Sequence, residues 1–198
     1  AKNEEKNLVP LIERIPKFDE DYELIVVYGD SKDNTEKVAL SLNDTFPNIK
    51  INAFKQSQDG KANAVWEAVE ASKNDFIAIL DSDQSVDPET LLDFFEILEN
   101  GNADFVNGTR LIYPMEDNAM RLINTFGNKV FQFLISIVIG QKLTDSLCGT
   151  KVFKKTNLEK IYNWQNTLNS KDPFGDFDLI FSSAFAGDKI LEYPVHYR

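Results

Sequence analysis

The chain has 198 residues, 21 Lys and Arg against 32 Asp and Glu, and a net charge of −11. The length suits one domain, and 42% apolar residues with 15 Phe exclude global disorder. The acidity excludes a general nucleic-acid binder, while one Cys (Cys148) and one His (His196) exclude an internal disulfide and any Cys- or His-rich metal site.

Ala1 to Leu8 contains neither an initiator Met nor the apolar segment of a signal peptide. Leu8, Leu11, Ile12 and Ile15 follow helical spacing. Leu24 to Tyr28 is a short apolar run, as expected of a strand covered on both faces. A polar turn follows, then a helix over roughly Thr35 to Asp44 with Val38 and Leu42 on one face. Ile49 to Phe54 reads as a second strand, and Asp59-Gly60 as a turn before the helix marked by Ala62, Val65, Trp66 and Val69. Phe76 to Leu80 is the clearest buried strand.

Asp87-Pro88-Glu89 then starts a helix: an Asp N-cap, Pro at the first helical position and an acid in the first turn. Leu91, Leu92, Phe95 and Leu98 form its apolar face, and Gly101 ends it. Ala103 to Val106 is a further strand, and Asn118 to Ile139 a longer helix. The apolar end of that helix is about ten residues, short of the ~20 that span a bilayer. It is either a core helix or a surface that meets a membrane or a lipid-linked substrate. Asp172 to Asp178 precedes a helix at Leu179 to Ala186, and Lys189 to Arg198 reads as a strand that stops. The strand–helix rhythm predicts one α/β domain, a mainly parallel sheet with helices on both faces. The two ends, read as cut, imply a domain excised from a longer protein.

The carboxylates locate the chemistry. Asp81-Ser82-Asp83 follows Leu80 directly. In open parallel sheets, ligands gather outside the carboxyl ends of strands. Two carboxylates there hold a divalent cation, and Mg²⁺ completes its octahedron with water and phosphate oxygens. The alternative is an ordinary polar turn, in which Asp and Ser are common.

Six segments, in order, resemble the family-2 glycosyltransferases and cover nearly all of the chain. Ala1-Lys2-Asn3-Glu4-Glu5 is similar to the end of that family's opening Pro-Ala-x-Asn-Glu-Glu. Glu23 to Thr35 resembles its second strand and acidic turn, with Tyr28 and Gly29 where the family has acids. Gly60-Lys61-Ala62-Asn63-Ala64 resembles Gly-Lys-Gly-x-Ala, and Asp81-Ser82-Asp83 resembles Asp-Ala-Asp. Asn107-Gly108-Thr109-Arg110 and Asp145 to Lys151 resemble segments of the polyprenyl-phosphate branch, the relatives of dolichyl-phosphate mannose synthase.

The resemblance implies a GT-A fold, Rossmann-like with a mostly parallel central sheet. It implies metal-dependent transfer, with inversion, from a UDP- or GDP-linked sugar to an acceptor, with a polyprenyl phosphate as the branch's choice. By position, Asn3, Glu4, Asp30, Lys61 and Asp81 serve the nucleotide and diphosphate. Asp81 and Asp83 hold Mg²⁺ or Mn²⁺, and Arg110 and Arg121 face phosphate groups. Asp176, then Asp178, is the general base, unless the acceptor is a phosphate that needs none. With the apolar helix, this implies a cytoplasmic protein, peripheral at the inner face of the membrane.

For each of these residues a structural role is open as well. Arg110 and Arg121 have surface ion pairing, Asp176 and Asp178 helix capping, Lys61 simple solvation, and Cys148 and His196 packing. A second enzyme class is also open, since haloacid-dehalogenase-type phosphatases place Asp-x-Asp after an apolar strand. They want Thr or Val where this chain has Ser85, and their first Asp on the first core strand, whereas two candidate strands precede Asp81. A third reading is a nucleotide-binding domain inactive as a fragment.

Overall fold

The computed structural model describes residues 1–18, 21–110, 122–169 and 172–196. Strands β1 (Glu23–Tyr28) and β2 (Lys50–Lys55) pair in parallel, with Glu23 opposite Lys50 and Tyr28 opposite Lys55. Helices α1 (Leu8–Arg14) and α2 (Thr35–Thr45) flank this pair. Leu8, Tyr28 and Ala39 form one small cluster, and Ile12, Leu42 and Ile51 another.

The second sheet has the order β3 (Phe76–Ile79), β5 (Lys151–Lys154), β4 (Phe105–Thr109), β6 (Ile190–Pro194). Strands β4 and β6 are parallel, whereas β5 runs antiparallel to both neighbours. In register, Phe105 stands opposite Phe153 and Val106 opposite Val152. Alternate residues face opposite sides of a sheet. Phe105, Phe153 and Ile77 therefore point to one core, closed by α3 (Lys61–Ala71), α5 (Leu122–Ile139), α6 (Asn157–Leu168) and α7 (Asp176–Phe185). Val106 and Val152 point to the other, closed by Leu91, Phe94 and Leu98 of α4 (Leu91–Glu99). Burial of each of these side chains contributes about 1.5–3 kcal/mol. Helices thus cover both faces, as the alternation predicts.

Four local details depart from the sequence reading. On α4 the fully buried ring is Phe94, while Leu92, read as part of the apolar face, is exposed. Strands β1 and β3 were expected to be covered on both faces, yet only Val27, Tyr28 and Ile77 among their residues are buried. Among the described residues each lies at the edge of its sheet. The helix at Asp87 does start there, as a 3-10 turn over Pro88–Thr90, but the Asp87 side chain makes no cap. Its Oδ1 instead accepts Arg14 Nη2 at 2.6 Å. Helix α7 starts at Asp176, three residues before the predicted start, after Gly175 with φ of +81°.

Gly101, also left-handed at φ +69°, follows α4 as expected. Among the described residues no helix is long and apolar enough to cross a membrane.

Candidate active site

The carboxyl end of β3 is the hub. Asp81 lies two residues beyond Ile79, half-buried, with Asp83 exposed beside it. Asp83 Oδ1 accepts the Ser85 backbone N–H at 2.9 Å, which closes the turn on Gln84, a residue held at φ +58°. Gly149, in the loop before β5, lies against the Asp81 carboxylate: a Cβ there would stand 1.9 Å from Asp81 Oδ2. Only glycine permits this approach.

Two helix starts supply the other charges. Helix α3 begins at Lys61 after Gly60 at φ +117°, and α7 begins at Asp176 after Gly175. The Ala62 N–H donates to the Pro173 carbonyl at 3.3 Å, and a Cβ on Gly175 would stand 3.0 Å from the Trp66 ring. The two starts are therefore packed together. Lys61 Nζ is 2.7 Å from Asp81 Oδ1 and 4.0 Å from Asp176 Oδ2. Asp176 Oδ1 is 2.6 Å from Lys151 Nζ, and the Lys151 side chain has no exposure at all. Lys151 Nζ also donates to the Cys148 carbonyl. The result is an alternating row: Asp81, Lys61, Asp176, Lys151. Burial works against the Lys61 ammonium, but Asp81, then Asp176, outweigh it and hold its pKa above the ordinary lysine range.

Arg110 stands at the end of β4. Asp145 takes it from three sides: Nε at 2.7 Å, Nη2 at 2.9 Å and the backbone N–H at 3.1 Å. Burial pushes the Asp145 carboxyl up, yet the Arg110 guanidinium more than reverses this and leaves it below the usual range. Asp145 is itself set by Glu192 of β6, which accepts the Asp145 N–H at 2.9 Å and both the N–H and hydroxyl of Thr144.

The amino-terminal segment runs beside β1, and Gly29 N–H donates to the Ala1 carbonyl at 2.9 Å. Asn3 Oδ1 accepts the Lys32 N–H at 2.7 Å, and the Glu4 N–H donates to Thr35 Oγ1 at 2.7 Å. Asp30 is exposed and pairs with Lys55 Nζ at 2.5 Å. These three expected nucleotide residues thus share one rim, on the β1–α2 loop.

The structure brings together Asp81, Lys61 and Asp176. It turns Asp178 elsewhere: its oxygens accept Trp164 Nε1 at 3.1 Å and Gln165 Nε2 at 2.8 Å, which ties α7 to α6. Neither Asp176 nor Asp178 is the residue that meets the free N–H groups at the start of α7. Asp172 does so, accepting Phe177 N–H at 2.7 Å and Asp178 N–H at 3.3 Å. His196 is exposed, Cys148 is fully buried, and Arg121 lies outside the described residues.

Sequence reasoning missed Gly149, Lys151 and Glu192 as parts of the site. The available signal for Gly149 and Lys151 was the resemblance of Asp145 to Lys151 to Asp-x-x-x-Gly-x-Arg/Lys, to which no site role was attached.

The donor set suits a hard divalent cation that arrives with a diphosphate. Two adjacent carboxylates are what Mg²⁺ takes from protein when phosphate oxygens fill its remaining positions. Among the described residues no group of three or more acidic, His or Cys side chains is close enough to hold a metal unaided.

Residues 1–162 match the family model described as Glycosyl transferase family 2. The chain is 26% identical over 196 residues to a dolichyl-phosphate hexose transferase of Haloferax volcanii, covering 99% of this chain and 79% of that protein. Two solved structures share the fold. Glucosyl-3-phosphoglycerate synthase of Mycobacterium tuberculosis, in complex with UDP, superposes with a TM-score of 0.66 at 19% identity, over 100% of this chain and 68% of its own. A mannosyltransferase of Pyrobaculum calidifontis, in complex with GDP-Man and Mn²⁺, gives 0.63 at 17%, over 98% of this chain and 52% of its own.

Proposed function

The chain belongs to glycosyl transferase family 2, a glycosyltransferase of GT-A fold, and on that basis we propose that it moves a sugar from a UDP- or GDP-linked donor to a lipid phosphate. The single observation that carries this reading is the cluster at the end of β3, where Asp81, two residues before Asp83, meets Lys61 and the bare backbone of Gly149.

Asp81 and Asp83 would hold Mg²⁺ or Mn²⁺. Bound there, the cation supplies Lewis-acid stabilisation to the departing diphosphate. Gly149, having no side chain, lets the Asp81 carboxylate lie against its backbone, while Asn3, Glu4 and Asp30 form the rim for the nucleoside. Substitution proceeds with inversion: an acceptor oxygen bonds to the anomeric carbon as the carbon–oxygen bond to the diphosphate breaks. A lipid phosphate is already an anion and brings no proton that must leave. Asp176 then acts through charge, holding Lys61 and Lys151 in place, and no base is required. For a hydroxyl acceptor we assign the base to Asp176, which lies beside Lys61, ahead of Asp178, whose oxygens accept Trp164 and Gln165.

The lipid side of the reading rests on the named activity of the Haloferax relative and on α5. Val130, Phe133, Leu134, Ile137 and Val138 of that helix are 44–65% exposed, at the spacing of one helical face. No charged residue occurs from 130 to 141. We assign this stripe to the bilayer surface, with the protein peripheral to it.

Calorimetry with UDP and GDP, with and without Mn²⁺, tests the donor site. Metal-dependent binding is expected for one of them, and at least a tenfold loss in Asp83→Ala. No binding of either nucleotide would refute the reading, and unchanged affinity in the variant would refute the metal role of Asp83.

A further inference from the structure

Lys61 occupies the position at Asp81 that a cation needs. Its ammonium sits 2.7 Å from Asp81 Oδ1, at a carboxylate whose other oxygen fills the place a side chain at Gly149 would take. Three further observations give this contact a second state. Asp176 Oδ2 is 4.0 Å from the same Nζ, so a shift of about an ångström makes it a full partner. The other Asp176 oxygen is already fixed by Lys151, which is wholly buried and cannot leave without an uncompensated charge. Lys61 itself is one-third exposed and stands at the first turn of α3, where its stem is free to swing.

We infer that Lys61 is a built-in competitor for the divalent cation, and that Asp176 is the carboxylate that receives Lys61 when Asp81 is taken. The inference rests on the metal reading of Asp81 and Asp83. It adds that the cation must displace a resident ammonium, so wild-type affinity is lower than the carboxylates alone would give. Like charges cannot share Asp81 Oδ1 at contact distance. Lys61 keeps a carboxylate partner through the hand-over, because its contact to Asp176 shortens as the one to Asp81 is given up.

The test is a Mn²⁺ titration followed by the paramagnetic resonance of free Mn²⁺, on wild type, Lys61→Met and Lys61→Arg. Each protein is titrated with and without UDP or GDP. In the absence of nucleotide, Lys61→Met is expected to bind Mn²⁺ at least tenfold more tightly than wild type, with Lys61→Arg close to wild type. Equal or weaker binding by Lys61→Met overturns the inference and leaves the metal reading standing if wild type binds Mn²⁺ with nucleotide. No binding by any of the three proteins, with or without nucleotide, overturns both. A second measurement uses the wild-type protein, with Lys61→Met serving only to assign the signal. Lysines reductively methylated with ¹³C give one resonance for Lys61, and Mg²⁺ is expected to move it. A resonance that stays fixed while Mg²⁺ binds overturns the inference.

Discussion

Asp81 and Gly149 are packed so closely that no side chain fits between them: the first carbon of one would lie 1.9 Å from Asp81 Oδ2. Gly149→Ala therefore has to push the Asp81 carboxylate off its position. Overpacking of this kind costs about 1–3 kcal/mol. The expected outcome is a folded protein with at least tenfold weaker metal-dependent nucleotide binding. Thermal melting and calorimetry on the same sample separate the two effects. Full binding with the melting temperature unchanged would show that Asp81 is not fixed by this contact.

Arg110 and Asp145 link stability to pH. In Arg110→Ala the buried Asp145 carboxylate loses its cation, and a loss of about 3 kcal/mol is expected, the low end for breaking a buried pair because Arg110 is a quarter exposed. The sign follows from the lowered carboxyl. The wild-type pair stabilises the fold above the ordinary carboxylate pKa of about 4, and that contribution is lost as pH falls through the lower native value. Urea unfolding at pH 7, 4 and 3 should show the acid loss in wild type and a smaller pH dependence in the variant.

Asp176 and Asp178 should separate cleanly. Asp178→Asn keeps one acceptor oxygen, weakens the contacts to Trp164 and Gln165, and is expected to cost about 1–2 kcal/mol with nucleotide affinity unchanged. Asp176→Asn leaves Lys151 buried without its counter-charge, for about 3–5 kcal/mol. Urea melts and calorimetry check both. Loss of nucleotide binding in a stable Asp178→Asn protein would move Asp178 into the site.

The stripe on α5 predicts affinity for uncharged membranes. With a net charge of −11 the protein gains nothing from anionic lipid, so phosphatidylcholine vesicles are the fair probe. Wild type should co-sediment with them, and Phe133→Glu or Ile137→Glu should reduce this at least fivefold. Equal sedimentation by all three proteins would remove the stripe from the membrane.

Much of the fold and part of the site are legible in the sequence. Apolar runs marked β1 and β3, helical spacing marked α1 to α4, and adjacent acids after a strand marked Asp81 and Asp83. Strand β5 was not, because it is bracketed by Lys151 and Lys154, and lysine normally signals solvent. The burial of Lys151 depends on Asp176, 25 residues away, and no local pattern encodes such a partner. The same holds for Arg110: its residue type fits a phosphate, but the grip of Asp145 comes from the loop before β5. The edge positions of β1 and β3 were hidden too, since composition reports how apolar a strand is and not which strands flank it.

Cys148 is fully buried in the core shared with α4, and a Cβ on Gly108 would lie 2.7 Å from its Sγ. Burial raises its thiol pKa, with Lys151 opposing. As the chain's single thiol it is therefore a built-in stopwatch. A reagent such as Ellman's disulfide cannot reach it while the Asp145–Thr150 loop lies on β4. The rate of colour development in native protein thus follows the opening of the loop that carries Gly149, or of the whole fold, without any label being introduced.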